Sequence, residues 1–259
     1  MNRKPAVAGI FYPAEPLLLK KTIDDYLAGA TKHGKAPKAM IVPHAGYIYS
    51  GSIAASAYAR LIPAGNSISR VVLIGPSHRV AFPGLAISNT SAYSTPLGEV
   101  ILDTSAIATL DRLPFVNYIE QAHLLEHSLE VHIPFLQSVL PNFSLIPIVT
   151  GDASIDQVCE VLELLWGGDE TLLVISSDLS HYHDYATAQQ IDQTTSRLIE
   201  DCQYEILTSE NACGQLPISG LLKLLAKKSL AIETIDLRNS GDTAGDKQRV
   251  VGYGAFVVN

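Results

Sequence analysis

The residues best placed to do chemistry are histidines that follow directly on short β-branched runs. His44 stands in IVPHAGY and His78 in VVLIGPSH, while a third run, Thr171–Ser177, leads into SSDLSHYH with Asp178, His181 and His183. Imidazole is the commonest metal ligand among side chains and moves protons near neutral pH. Small residues beside both histidines let a bound group come close to the backbone, and Pro43 and Pro76 stiffen the loops that aim the rings. Two imidazoles from neighbouring strands suit Fe, Zn, Cu or Ni, and a carboxylate would complete a facial triad with positions left open for substrate. A lone histidine at a strand end is more often a polar loop residue. The paired contexts P-H-A-G and G-P-S-H set these two apart. Asp178 reads either as a helix N-cap or as a carboxylate that orients His181 for acid–base work.

A second cluster, EHSLEVH, holds Glu126, His127, Glu130 and His132. On a helix Glu126 and Glu130 would share a face, with His127 about 100° away. Like charges at that spacing repel mildly, so a shared cation, separate partners or a plain solvated face are the readings open. The stretch His123–His127, HLLEH, matches the H-x-x-E-H of inverted zinc peptidases only formally, and a five-residue match is common by chance. NSGDTAGD, Asn239–Asp246, has the composition of an ordinary turn. No phosphate-cradling glycine motif occurs, and Ser176-Ser177 lacks the G-x-S-x-G context of a serine hydrolase.

Strands must aim these groups. Met40–Val42, Val71–Ile74, Ser144–Val149 and Thr171–Ser177 read as short buried strands. Helices are expected over Leu17–Leu27, Ser52–Leu61, Glu126–Leu140 (broken at Pro134), Ser154–Trp166, Ala186–Asp201 and Leu216–Lys227, with closing strands at Ala231–Leu237 and Arg249–Val258. This alternation predicts an α/β three-layer sandwich around a mixed, mainly parallel sheet. In such sheets ligands bind outside the carboxyl ends of the strands, where the histidines lie. No linker, repeat or composition shift divides residues 1–259, which read as a single α/β domain.

Composition narrows the partners. Twenty-six acids against 18 bases give a net charge of −8, with no basic stripe to track nucleic acid. No run approaches the ~18–20 apolar residues of a membrane span, and the opening MNRKPAVAGIFYP lacks a signal-peptide core. The three cysteines, Cys159, Cys202 and Cys213, have no CxxC spacing and read as structural thiols of a cytoplasmic protein.

Seven blocks in order, GIFYP (9–13), PHAGYIYSG (43–51), GPSH (75–78), PLGEV (96–100), EHSLEVHIPF (126–135), SSDLSHY (176–182) and VVGYGA (250–255), resemble the Memo family. Its bacterial and archaeal members are often called AmmeMemoRadiSam system protein B. The resemblance implies a fold similar to the class III extradiol dioxygenases, which are non-haem iron enzymes. It places His44 and His78 on the metal-binding histidines and His181 on the acid–base histidine, with Asp178 beside it. At the third ligand, animal Memo proteins carry a Cys and the dioxygenases a Glu. Counting back from Tyr253 puts Thr243 in that slot, and a shift of one puts Asp242 there. Asp242 is the expected ligand; with Thr243 instead, the site would bind metal weakly and be isolated metal-free. Glu126, His127 and Glu130 would stand behind the ligands or face substrate.

The expectation is therefore a metal-dependent oxidoreductase of dioxygenase type, with Fe(II) first and Cu or Zn as alternatives. A non-catalytic module binding a peptide or small ligand is the second reading, and a zinc-dependent hydrolase the third. The family name implies a link to AMMECR-type and radical-SAM proteins.

Overall fold

In the computed structural model, which describes residues 2–31 and 34–259, the strands run β1 (Asn2–Arg3), β2 (Ala39–Val42), β3 (Arg70–Pro76), β4 (Leu85–Ile87), β5 (Ala92–Thr95), β6 (Gly98–Ile101), β7 (Val116–Tyr118), β8 (Ser144–Thr150), β9 (Thr171–Ser176), β10 (His181–His183), β11 (Ile232–Asn239) and β12 (Val250–Val258). The segment between the expected helix Leu17–Leu27 and β2 lies partly outside the described residues. The main sheet has the order β10-β12-β2-β9-β3-β8-β4-β7, with β11 on β12. Its centre, β2-β9-β3-β8, is parallel, and its flanks are antiparallel at β12/β2 and β8/β4. A smaller sheet joins β1, β5 and β6.

The central strands carry unbroken Val, Ile and Leu runs because helices cover both of their faces. All of β2 and β9 is buried, as is β3 beyond Arg70. One helical group, Pro16–Gly29, Tyr47–Tyr58 and Ile133–Val139, packs together, and a second pairs Ile155–Leu164 with Gln215–Lys228. The three-layer α/β sandwich read from the alternation is the observed architecture. Among the described residues no helix is long and apolar enough to cross a membrane.

One expected helix differs. Glu126–Leu140 is two short helices, His127–Glu130 and Ile133–Val139, and Pro134 sits in the first turn of the second. A missing N–H costs nothing there. Glu126 is the N-cap of the first piece, accepting from Ser128 N at 3.0 Å, so it shares no helical face with Glu130.

The order β2-β9-β3 builds the site. Val42 and Ser176 are register partners, as are Ile74 and Ile175. The next turns of β2 and β3 therefore set His44 and His78 down on either side of the end of β9.

Candidate metal centre

The two imidazoles meet, with ring centroids 5.1 Å apart and nearly perpendicular. His127 completes a trio, its centroid 4.5 Å from that of His78 and 5.4 Å from that of His44. All three line a cavity of about 660 Å³, together with Phe11, Tyr49, Asp178, His181, Tyr182, Arg249 and Tyr253.

Buried hydrogen bonds decide which ring nitrogens are free. Ser176 Oγ lies 2.5 Å from the Ser128 carbonyl, which can only accept, so the hydroxyl proton goes there. Ser176 Oγ must then accept from His44 Nδ1–H at 2.6 Å and from His132 Nε2–H at 2.9 Å. The Tyr58 hydroxyl in turn donates to His132 Nδ1 at 3.0 Å. His44 is thus held with its Nε2 unprotonated, its lone pair turned towards the Cys213 thiol. For His78, Glu126 Oε1 takes the Nδ1–H at 2.8 Å and Oε2 takes the backbone N–H at 2.6 Å, which leaves the other nitrogen free. A ligating histidine whose far N–H is fixed by a neighbour is the arrangement metal sites use.

The acid–base balance keeps these groups ready to bind. Burial first, and then the neighbouring imidazoles, hold the His44 pKa well below the ordinary value, so the ring is neutral. His127 and His132 are pushed down by burial to about 4 and about 3. Burial works against an ionised Glu126, but hydrogen bonds from His78 and Ser128 outweigh it and bring the carboxyl to about 2.

The third donor is Cys213. Its Sγ is 3.4 Å from His44 Nε2, and the donor atoms of His44, His78 and Cys213 all lie within 4.8 Å of one another. Donors around a tetrahedral ion with bonds of about 2.0–2.3 Å stand about 3.3–3.8 Å apart, which the His44–Cys213 spacing matches. Gly214 makes the approach feasible, since a Cβ there would fall 2.6 Å from the Ser176 carbonyl oxygen and 2.7 Å from Ser177 Cβ. Burial, with Asp178 adding to it, pushes the Cys213 thiol up to about 12. Without a cation it is protonated. A second group, His78, Glu126 and His127, also gathers donor atoms, but both Glu126 oxygens are already occupied in holding His78 and capping Ser128.

Several expected residues sit elsewhere. Asp242, the expected third ligand, is engaged away from the cavity: Oδ1 accepts from the Tyr185 hydroxyl at 2.5 Å and Oδ2 from Asn239 N at 3.0 Å, closing a capping box around Ser240–Asp242. Thr243 donates its hydroxyl to the Ser240 carbonyl at 3.2 Å. Glu130 is fully buried on the far side of its short helix. It accepts from Arg3 Nη1, Ala6 N, Val7 N and the Tyr12 hydroxyl at 2.5–2.9 Å, tying the N-terminal segment to the core. Asp178 neither caps a helix nor orients His181. Its Oδ1 accepts from His44 N at 2.7 Å, and burial raises its carboxyl to about 7 despite that bond. His181 does line the cavity, its pKa lowered chiefly by burial. Asp184 is the N-cap of Tyr185–Glu200, and His123 of the HLLEH stretch is held by Tyr93 and the Ala86 carbonyl.

Cys213, read from the sequence as a structural thiol, instead faces His44, and the bonds by which Ser176 and His132 hold that imidazole were likewise not foreseen. The signal for Cys213 was faint but present: a cysteine beside glycine at the junction of a loop and a helix, ACGQLP, as small neighbours flank His44. Ser176 and His132 lie within the SSDLSHY and EHSLEVHIPF blocks, but their part in holding His44 becomes visible only through their bonds.

Comparison with known proteins agrees with this architecture. The description of Memo-like proteins matches residues 3–257. The chain is 37% identical over 284 residues to a MEMO1 family protein of Sulfolobus acidocaldarius, covering 98% of each. It is 36% identical to one from Aquifex aeolicus, covering 97% of each, and 34% identical to one from Thermoplasma acidophilum, covering 99% of this chain and 98% of that one. With the match spanning every strand that carries a site residue, the chain belongs to the Memo family.

Proposed function

We propose that this protein is a mononuclear metal-dependent oxidoreductase whose ion is held by His44, His78 and Cys213. The observation that carries the reading is the convergence of three donor atoms, two of them imidazole nitrogens left unprotonated because buried partners fix the opposite N–H. Three protein ligands beside a cavity leave a coordination position for substrate, which is the pattern of a catalytic rather than a structural site. Two imidazoles and a thiolate are softer than the two-His-one-carboxylate set first expected, so Cu and Zn compete more strongly with Fe(II) for them. Iron or copper is the occupant proposed, and when bound it supplies Lewis acidity and one-electron chemistry.

The chain's own residues do the rest. His181, neutral and facing the cavity, accepts a proton from a bound substrate. Asp178 fixes the His44 backbone, and with its carboxyl near 7 can hold or release a proton at working pH. Phe11, Tyr49 and Tyr253 give the cavity aromatic walls. Burial keeps competing protons off the His44 imidazole, whereas the Cys213 thiol, held protonated by burial, would have to give up its proton to serve as a ligand.

The test is anaerobic reconstitution with Fe(II), followed by elemental analysis. About one equivalent should bind, the double variant His44→Ala/His78→Ala should bind none, and Cys213→Ser should bind at least about tenfold more weakly. Calorimetry in buffers of differing ionisation enthalpy should show about one proton released per ion, a release that Cys213→Ser removes. An unchanged stoichiometry in the double variant would end the metal reading. A small-ligand binding module would then remain, favoured by the aromatic-walled cavity. Zinc-dependent hydrolysis is separated by activity that persists without oxygen.

A further inference from the structure

Tyr182 has φ 63°, a left-handed conformation that an aromatic residue adopts only when its surroundings impose it. The cause is local. The register between β10 and β12 shifts between His181 and His183, and the residue between them is thrown out to the rim of the cavity, 64% exposed. Over its ring lies Arg249, the guanidinium carbon 5.0 Å from the ring centroid. Both side chains line the cavity that holds His44, His78 and His181.

Arg249 is unusual in a chain where 26 acids outnumber 18 bases. Among the described residues its guanidinium makes no ion pair, and the stacking contact is its only side-chain interaction. Of the two acids in the cavity lining, Asp246 spends Oδ1 on the backbone N–H groups of Gln248 and Arg249, and Asp178 accepts from His44 N. A stacked guanidinium keeps its N–H edges free while its orientation is set by the ring beneath it. That fork suits a carboxylate, which it can bind through two parallel hydrogen bonds. Phe11, Tyr49 and Tyr253 add flat apolar surface to the same cavity.

We propose that Arg249, held on Tyr182, is an anion-receiving arm of the cavity, and that the natural ligand is a small organic carboxylate with a planar apolar body. This rests on the reading of the cavity as the ligand site and adds the class of ligand. The strained Tyr182 is then a positioning residue, since its ring sets the arm.

Benzoate, benzamide and acetate are the probes, with binding to the protein as purified followed by calorimetry and ligand-observed NMR. Benzoate should bind about tenfold more tightly than its neutral isostere benzamide, and more tightly than acetate. In Arg249→Gln the benzoate preference should fall to within about twofold. Tyr182→Asn, whose side chain tolerates the left-handed region, should weaken benzoate several-fold with the thermal midpoint retained. Equal binding of benzoate and benzamide by the wild type, no detectable benzoate binding, or undiminished benzoate binding in Arg249→Gln would each overturn the proposal. Fe(II) stoichiometry is read separately: Arg249→Gln should keep the wild-type value. A wild type that binds benzoate but no metal would sink the metal reading alone.

Discussion

Replacing Ser176 with Ala tests whether the hydroxyl between the two histidines governs the ligand state of His44. The hydroxyl makes three buried bonds, donating to the Ser128 carbonyl and accepting from His44 Nδ1 and His132 Nε2 at 2.5–2.9 Å. Alanine fits the space but strands all three partners. A buried polar group left unpaired costs about 1–3 kcal/mol. Partial relaxation keeps the total below the simple sum, at about 2–5 kcal/mol. For a chain of this size each kcal/mol moves the midpoint by about 2–4 °C, so thermal unfolding should fall by about 5–15 °C. The metal effect is separate. With no acceptor at Nδ1, the His44 proton is free to move to Nε2, which occupies the lone pair a cation needs. Affinity for Fe(II), measured by anaerobic titration at 15 °C where both proteins are folded, should drop about 10–100-fold. Ser176→Thr keeps the hydroxyl, so it should retain affinity while costing about 1–3 kcal/mol for the extra methyl in a packed core. An alanine variant that binds Fe(II) as tightly as wild type would refute the tautomer argument, whatever its stability.

Other outcomes follow from the same contacts. Asp178 has a folded pKa near 7, above its unfolded value, so the folded state binds more protons between the two. Stability should therefore fall as pH rises from about 4 to about 7, and Asp178→Asn, which keeps an acceptor for His44 N, should flatten that stretch of the denaturation profile. Asp242→Asn should leave metal affinity within about twofold of wild type, since its carboxylate serves Asn239 and Tyr185; loss of binding would restore it as a ligand. Glu130→Ala should cost about 3–5 kcal/mol in urea unfolding because it strands the buried Arg3 guanidinium. A change under about 1 kcal/mol would show that the pair is not the N-terminal tie described above.

Much of the scaffold was legible because buried parallel strands advertise themselves. The runs Met40–Val42, Val71–Ile74 and Thr171–Ser177 lie within or across β2, β3 and β9, with ends off by one or two residues. Histidines directly after such runs had to reach the same sheet edge, and His44 and His78 do. The third donor was sought in the last loop by the count from Tyr253, whereas the thiol that stands beside His44 comes from the segment before Gln215–Lys228. Nothing in local patterning reports that approach, which depends on Gly214 packing against the end of β9. The acidic cluster misled for a related reason. Glu126 and Glu130 were read as helical neighbours, but the cap at Glu126 sends one carboxylate to His78 and the other to Arg3.

His44 and Cys213 touch across 169 residues of sequence. A growing chain therefore exposes both histidines long before the thiol exists, and the strand between them, β9, is made after both. Contacts this distant form only once the intervening sheet has closed. A cation held as proposed would then be captured late, after the sheet has formed, since the three donors do not stand together earlier on the growing polypeptide.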